Sequence, residues 1–214
     1  MTYDPARHHR RSIRLPAYDY AQAGAYFVTI CTQNRECVFG EVVQGQMILN
    51  GPGRMVESVW RQLPQHYPRV EIDTFVVMPN HVHGIIVLVG AGPRACPDTG
   101  QPQGVGQPQG VAPTMSLPDV VHRFKSLTTA RYRRGVRNDG WRPFPGRLWQ
   151  RNYYEQVIRD EHELDRIRQY IVSNPARWED DLENPDAQRQ RAVGAVGESP
   201  SPLSYDGGSP AIIP

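Results

Sequence analysis

The chain has 214 residues, 39% of them hydrophobic, which is enough for one well-packed core. It contains 19 glycines and 20 prolines, so we expect disordered additions beside that single domain. No apolar run reaches the length of a membrane span, and Cys31, Cys37 and Cys96 have neither metal-ligand spacing nor the even count of a disulfide framework. These features exclude membrane-spanning and disulfide-rich secreted classes, and they predict a soluble cytoplasmic protein.

Charge is distributed unevenly along the chain, although the net charge is only +2. Residues 119–159 carry ten basic and three acidic side chains, whereas residues 179–214 carry seven acidic and two basic ones. Such a separation favours a polyanion bound on one face of the protein. We therefore expect a basic N-terminal arm at 1–22, one folded domain at 23–178 and a disordered acidic tail at 179–214.

Hydrophobic periodicity and turn residues predict an α+β domain. The predicted elements are, in chain order, a strand at 25–32, a hairpin at 36–50 that turns at Gln44 and Gly45, a helix at 54–67, strands at 70–78 and 81–89, a helix at 116–134, a strand at 153–158 and a helix from Asp160 to about Asn174. The order strand, helix, strand, strand is the opening of a split βαβ arrangement.

Residues 90–114 interrupt this pattern with glycine, proline, glutamine and alanine. The hexapeptide at 100–105 is repeated at 106–111. So little apolar surface cannot offset the entropy lost on ordering the segment. We predict a flexible insertion without a chemical role.

Two histidines lie in the apolar segment 75–88. Side chains alternate across a strand, so His81 and His83 point to one side of the sheet while Val82 points to the other. Neutral imidazole nitrogens are good ligands for divalent cations, and this pair would supply half a coordination sphere from one rigid element. Two half-exposed polar positions would give the same pattern, so both interpretations stay open at this point.

The predicted helix at 116–134 is amphipathic and basic. Its inward positions are Val120, Val121, Phe124 and Leu127. The basic positions that we expect to contact phosphates are Arg123, Lys125, Arg131, Arg133 and Arg134. A merely solvated basic face is the alternative interpretation.

The last predicted helix carries Tyr170 and Asn174, which are four residues apart and therefore on one face. A tyrosine near a helix end is usually a residue at the edge of the core. Its position alone does not indicate catalysis.

Five motifs of the chain, taken together, resemble one family. They are Tyr-Phe-Val-Thr-Ile-Cys-Thr-Gln-Asn-Arg at 26–35, Met-Pro-Asn-His-Val-His at 78–83, Phe-Lys-Ser-Leu at 124–127, Trp-Gln-Arg-Asn-Tyr-Tyr-Glu at 149–155 and Tyr-Ile-Val-Ser-Asn-Pro at 170–175. In this order they are similar to the REP-associated tyrosine transposases, a branch of the single-tyrosine HUH transposases, over about residues 10–178. The resemblance implies a ferredoxin-like antiparallel sheet with helices on one face. It also implies DNA transposition chemistry, in which single-stranded DNA is cut near a hairpin and rejoined.

The resemblance implies catalytic roles for particular residues. His81 and His83 match the histidine pair that holds Mg²⁺ or Mn²⁺. Tyr170 matches the tyrosine that attacks the DNA backbone and forms a 5′-phosphotyrosine link, and Tyr154 is the runner-up.

The third metal ligand is left open by the resemblance. Asn174 lies where related insertion-sequence transposases place a glutamine ligand, four residues after the tyrosine. Gln156 stands where family members often have a histidine. Either residue is therefore a candidate.

The expected partner is single-stranded or hairpin DNA, bound by a monomer or homodimer associated with the nucleoid. Besides the basic helix, the expected DNA contacts are Arg147, Trp149 and Arg151, with Trp149 or Tyr153 stacking on unpaired bases. One alternative is a protein that binds DNA or RNA hairpins without cutting them. A metal phosphoesterase acting on small substrates is a third, for which too few ligands can be identified.

Overall fold

The structure, a computed structural model, describes residues 20–89 and 115–190. Its strands are β1 (Gly24–Cys31), β2 (Gly40–Val43), β3 (Gln46–Leu49), β4 (Val70–Val77), β5 (His81–Leu88) and β6 (Tyr154–Ile158). Its helices are α1 (Gly51–His66), α2 (Leu117–Asn138) and α3 (Glu161–Ser173), with 3₁₀ turns at Gln33–Arg35 and Pro175–Asp180. The predicted insertion at 90–114 and most of the predicted arm lie outside the described residues.

Four strands form an antiparallel sheet in the order β4-β5-β1-β6. Helix α1 connects β1 to β4, and α2 lies between β5 and β6. The chain path is therefore strand, helix, strand, strand, helix, strand, which is the split βαβ order of a ferredoxin-like domain. The predicted fold class is confirmed.

One face of this sheet is covered by α1 and α2. Strand alternation directs Val28, Ile30, Val82 and Ile86 to this face, where all four are buried. Trp60 of α1 fills the centre. A side chain at Gly84 of β5 would place its Cβ 2.4 Å from Trp60 Cζ2, so only glycine lets the indole lie against the strand.

The opposite face carries α3, which adds a helix to the two on the predicted face. Here a small apolar cluster joins Phe27 and Ile85 of the sheet to Ile167 and Ile171 of the helix. Arg168 holds the helix to β4 through a two-pronged ion pair with Asp73, at 2.7 and 3.0 Å. Helix α3 is thus fixed against the side of the sheet that carries the histidine pair.

The helix ends follow from local side chains. The Asn50 side chain accepts a hydrogen bond from the Gly53 amide at 2.9 Å, so α1 begins at Gly51, earlier than predicted. The Asp160 side chain accepts from the Glu163 amide and begins α3 as expected. In the β2–β3 ribbon, Gln44 and Gly45 have φ values of 50° and 74°, which fits the predicted two-residue turn.

The folded region continues past residue 178. Asp181, Asn184 and Ala187 are buried, and residues 185–190 are helical. The predicted boundary of the acidic tail was therefore wrong for residues 179–190, because an acidic composition does not reveal which of its side chains point inward. Residues 191–214 lie outside the described residues.

Within the two described segments, no helix is both long enough and apolar enough to cross a bilayer.

Candidate active site

The two histidines at the start of β5 face α3 and are withdrawn from solvent. His81 is 0% exposed and His83 is 2% exposed, and their ring centroids lie 4.3 Å apart. Half-exposed polar positions would not be buried in this way. The two imidazoles therefore form a buried pair whose rings lie close enough to share one ligand.

A neighbouring amide sets the orientation of His81. Asn80 Nδ2 donates to the main-chain oxygens of Arg35 and Glu183, which leaves Asn80 Oδ1 to accept from His81 Nδ1 at 2.8 Å. His81 Nε2 then carries the lone pair, and it is buried without a hydrogen-bond partner among the described residues. A second residue that fixes the tautomer of an imidazole in this way is typical of metal sites.

His83 is held in a similar manner from β1. Thr29 Oγ1 lies 2.8 Å from His83 Nδ1. Burial lowers the pKa of both imidazoles, to about 3 for His81, while Asp181 acts in the opposite direction on His83. Both rings are therefore neutral near pH 7, which is the form that binds a cation.

Asp181 completes a group of three ligand-type side chains. One ligand atom from each of His81, His83 and Asp181 lies within 4.8 Å of the other two, and all three residues are buried. Two imidazoles and a carboxylate fit a divalent cation. The unpartnered nitrogen of His81 supports that fit.

Asn174 orients this carboxylate. Its Nδ2 donates to Asp181 Oδ2 at 2.9 Å, and its Oδ1 is buried without a partner in the described part of the chain. The structure places Asn174 beside the cluster, and its role as a ligand stays a prediction. A free amide oxygen is a further ligand-type atom beside the cluster.

Gln156, the other candidate for third ligand, has different partners. Its Nε2 donates to Glu163 Oε1 at 2.6 Å. The structure thus brings Asp181, which sequence reasoning assigned to the tail, into the cluster beside Asn174, whereas Gln156 is bonded to Glu163.

Tyr170 reaches the cluster from α3. Its hydroxyl lies 3.3 Å from His83 Nε2, and its ring packs edge-on against Phe27. The side chain is 41% exposed, so a large substrate can reach it. Burial, followed by the charges of Asp181 and Glu183, raises the pKa of Tyr170 to about 12. This phenol therefore needs a positive charge nearby to lose its proton easily.

Tyr153 and Tyr154, the other two tyrosines considered, have different hydrogen-bonding and ring contacts. Tyr154 also packs on Phe27, but its hydroxyl donates to Gln156 Oε1 at 3.4 Å. Tyr153 is partly buried below the ammonium group of Lys125. Among the three, Tyr170 has the hydrogen-bonding contact with the cluster.

An ion pair holds the C-terminal segment to the site. Arg35 Nε binds Glu183 Oε2 at 2.6 Å, and the Cys31 thiol donates to the same oxygen at 3.3 Å. Because Glu183 is two residues from Asp181, this contact keeps the Asp181 carboxylate beside the imidazoles.

The structure corrects two of the predicted DNA contacts. Trp149 is 4% exposed and donates from Nε1 to Thr128 Oγ1, so it cannot stack on an unpaired base. Lys125 Nζ donates to the main-chain oxygens of Gln150 and Asn152 at 3.0 Å, which ties α2 to the segment before β6. Its ammonium group therefore has main-chain acceptors within the protein.

The remaining basic residues vary in their freedom. Arg131 donates to Gln62 Oε1 at 3.2 Å. The exposed ones are Arg123, Arg133, Arg134, Arg147 and Arg151. Helix α2 covers the face opposite the histidines, whereas the Gln150 amide donates to Cys31 at the site end of β1. Arg151 therefore lies nearer the cluster along the chain than the arginines of α2.

Comparison with known proteins identifies relatives of this chain. A Haemophilus influenzae protein that is described as uncharacterized is 42% identical over 190 residues, which are 84% of this chain and 95% of that protein. A second protein of the same organism, named "Putative REP-associated tyrosine transposase", is 24% identical over 160 residues, or 74% of each chain. No family model matches. The resemblance drawn from the motifs is confirmed.

Two solved structures are similar to the chain as well. One is a REP-associated tyrosine transposase bound to a REP hairpin, with 16% identity, a TM-score of 0.49, and coverage of 95% of this chain and 99% of that one. The other is described as a "putative transposase" from Deinococcus radiodurans R1, with 19% identity, a TM-score of 0.40, and coverage of 75% and 96%.

Proposed function

We propose that this chain, which belongs to the same family as the 42% identical Haemophilus influenzae protein and resembles the REP-associated tyrosine transposases, cuts and rejoins single-stranded DNA beside a hairpin. The observation that carries the proposal is the 3.3 Å contact between the Tyr170 hydroxyl and Nε2 of the buried His83. This contact supports the assignment of Tyr170 as the nucleophile, because a solvent-reachable phenol lies beside the ligand-type cluster on the α3 face of the sheet.

The chemistry is a transfer of a phosphodiester bond. The Tyr170 oxygen attacks the phosphorus, the bond from phosphorus to the 3′ oxygen breaks, and the DNA 5′ end becomes a phosphotyrosine. The phenol loses a proton and the departing 3′ oxygen gains one. Attack by a 3′ hydroxyl reverses the step, so rejoining requires no nucleotide energy source.

His81, His83 and Asp181 would hold a divalent cation, Mg²⁺ or Mn²⁺, with the free Oδ1 of Asn174 beside them. When bound, such an ion withdraws charge from the phosphate and lowers the pKa of nearby acids. Each of these three side chains is oriented by a hydrogen bond. Asn80 binds His81, Thr29 binds His83, and Asn174 binds Asp181. A cation held there would act against the charges of Asp181 and Glu183, which with burial raise the pKa of Tyr170.

The test compares three tyrosines in the full-length protein. Labelled single-stranded DNA from either side of its own gene is incubated with the protein and Mg²⁺ or Mn²⁺, and denaturing gels detect a covalent adduct. Tyr170→Phe keeps the ring contacts with Phe27 and His83, so it should fold and bind DNA but form no adduct. Tyr154→Phe and Tyr153→Phe are the matched controls and should retain it.

Peptide mapping of the adduct then identifies the attacking residue. An adduct that persists in Tyr170→Phe, or that maps to Tyr154, means that the nucleophile is misassigned. DNA binding without any adduct in the wild-type protein would favour a hairpin-binding protein that does not cut.

A further inference from the structure

We propose that a pocket beside the histidine cluster holds one unpaired nucleobase of the bound DNA strand, stacked on Trp178. This inference rests on the proposed function in assuming a single-stranded DNA substrate, and it adds a binding subsite for that substrate. The pocket lies between the 3₁₀ turn after β1 and the C-terminal segment of the described chain.

The pocket has the size and the walls of a small-ligand site. Its volume is about 310 Å³, at the lower end of the range of roughly 300–1,000 Å³ that ligand pockets occupy. Its lining includes Asn34 and Glu36 on one side, Asn184 and Asp186 on the other, and the indole of Trp178. An aromatic wall with amide and carboxylate groups around it suits a flat base with polar edges.

Trp178 also borders the candidate active site. Its ring centroid lies 6.0 Å from that of His81. A base stacked on this indole would therefore belong to a nucleotide close to the phosphate that Tyr170 attacks. The pocket is then in a position to select which phosphate reaches the tyrosine.

The charges of the pocket favour a base over a free phosphate. Its two cations are already paired, Arg35 with Glu183 at 2.6 Å and Arg189 with Asp186 at 3.0 Å. Glu36 and Asp186 balance Arg35 and Arg189 in the lining, so the pocket has no net positive charge to attract a free phosphate. A neutral ring does not need one, because stacking depends on its π-face.

The walls are held in place by contacts within the protein. Asn184 Nδ2 donates to the main-chain oxygen of Trp178 at 2.8 Å, which fixes the C-terminal segment against the indole. On the other side, Asn34 and Arg35 have φ values of 57° and 55°, so the turn adopts two successive left-handed residues. Asparagine accepts this conformation more readily than most residues.

The experiment removes bases and the indole separately. The probe is a labelled single strand that contains the inverted repeat beside the gene of this protein, with single-stranded tails on both sides. Each tail position is replaced in turn by an abasic nucleotide, and binding to the full chain is measured by fluorescence anisotropy. At one position the loss of the base should weaken binding about 5- to 100-fold.

Trp178→Leu should weaken binding of the intact strand by the same factor, and it should add no further loss on the strand that is abasic at that position. Trp178→Phe should retain most of the affinity. Two controls accompany these variants. Leu182→Ala, an exposed position of the same segment, should behave as wild type, and the repeat without tails should bind Trp178→Leu and wild type equally.

The proposal is overturned if no abasic position weakens binding, or if the losses from the abasic site and from Trp178→Leu multiply independently. Covalent adducts are scored on the same strands. An adduct at Tyr170 without coupling between the abasic position and Trp178→Leu supports the proposed function and contradicts the base pocket. Coupling without an adduct supports the base pocket and contradicts the proposed cleavage. A wild-type protein that does not bind the strand contradicts both.

Discussion

The two faces of the four-stranded sheet are built from the same strands but serve different ends. On the face of α1 and α2, the alternate residues of β1 and β5 are aliphatic or aromatic, apart from Gly24 and Gly84, and they pack around Trp60. On the face of α3, the apolar contact is reduced to four buried residues, and the rest of the space is taken by imidazoles, an amide and a carboxylate. Within β5, His81 and His83 point to the α3 face, and Val82 between them points to the face of α1 and α2.

The two faces therefore contribute differently to the free energy of folding. The face of α1 and α2 buries most of the apolar surface, whereas the α3 face buries polar groups. A buried polar atom without a partner costs about 1–3 kcal/mol. Among the described residues, the α3 face contains two such atoms of ligand type, His81 Nε2 and Asn174 Oδ1, and the packed face contains the Trp60 Nε1 donor. A fold can tolerate such groups when the opposite face is tightly packed. We therefore expect substitutions on the α3 face to affect adduct formation more than stability, and substitutions on the packed face to affect stability more than adduct formation.

The largest expected effect is the loss of chemistry in His81→Ala. Removing this imidazole takes away a proposed ligand whose Nε2 has no hydrogen-bond partner in the described part of the chain, so covalent adduct formation should become undetectable. Hairpin binding should remain, since affinity comes mainly from phosphate contacts. Mn²⁺ should raise the melting temperature of the wild-type protein but not that of His81→Ala. His162→Ala, an exposed histidine of α3, is the control. An unchanged adduct rate in His81→Ala would remove the metal assignment.

The second effect is a loss of stability on the packed face. Trp60→Ala should lower the free energy of unfolding by about 3–5 kcal/mol, because a fully buried indole leaves a cavity between α1 and Gly84. Urea denaturation measures it, and adduct formation per folded molecule should be retained. Val172→Ala, 68% exposed on α3, should change stability by less than about 0.5 kcal/mol. A cost below about 1 kcal/mol for Trp60→Ala would mean that the two faces do not differ as described.

The apolar face and the histidine pair could be predicted from the sequence because both depend on local periodicity. Alternation in β5 placed His81 and His83 together, and the i, i+4 spacing placed Tyr170 beside Asn174. These relations hold within one strand or one helix, whatever surrounds it.

Asp181 could not be predicted in that way. Its burial depends on contacts between distant parts of the chain, such as the hydrogen bond from Asn80 Nδ2 to the Glu183 oxygen. Nothing local distinguishes it from the other acidic residues around it. The one available signal was Asn80, directly before the histidine pair, whose amide had no assigned role.

The DNA contacts predicted for Trp149 and Lys125 differ from the structure for the same reason. Each was judged by its residue type, an aromatic ring for stacking and an ammonium group for phosphate. The tertiary structure uses the indole nitrogen for Thr128 and the ammonium group for three main-chain oxygens.

The smallest expected effect concerns the path of DNA across the two faces. Each neutralised phosphate on a single strand contributes a slope of about −0.7 in a plot of log affinity against log salt. Arg134 is exposed on α2, which covers the packed face, whereas Arg151 follows the segment that is hydrogen-bonded to the site end of β1. If DNA contacts both sides, Arg134→Ala and Arg151→Ala should each make the slope shallower by about 0.7. Lys125→Met should instead act mainly on stability, because its ammonium group donates to main-chain oxygens, and it should change the slope less than the two arginine substitutions. A slope that changes for Arg151→Ala alone would confine the DNA to the α3 side, and a slope that changes for neither would require a different binding surface.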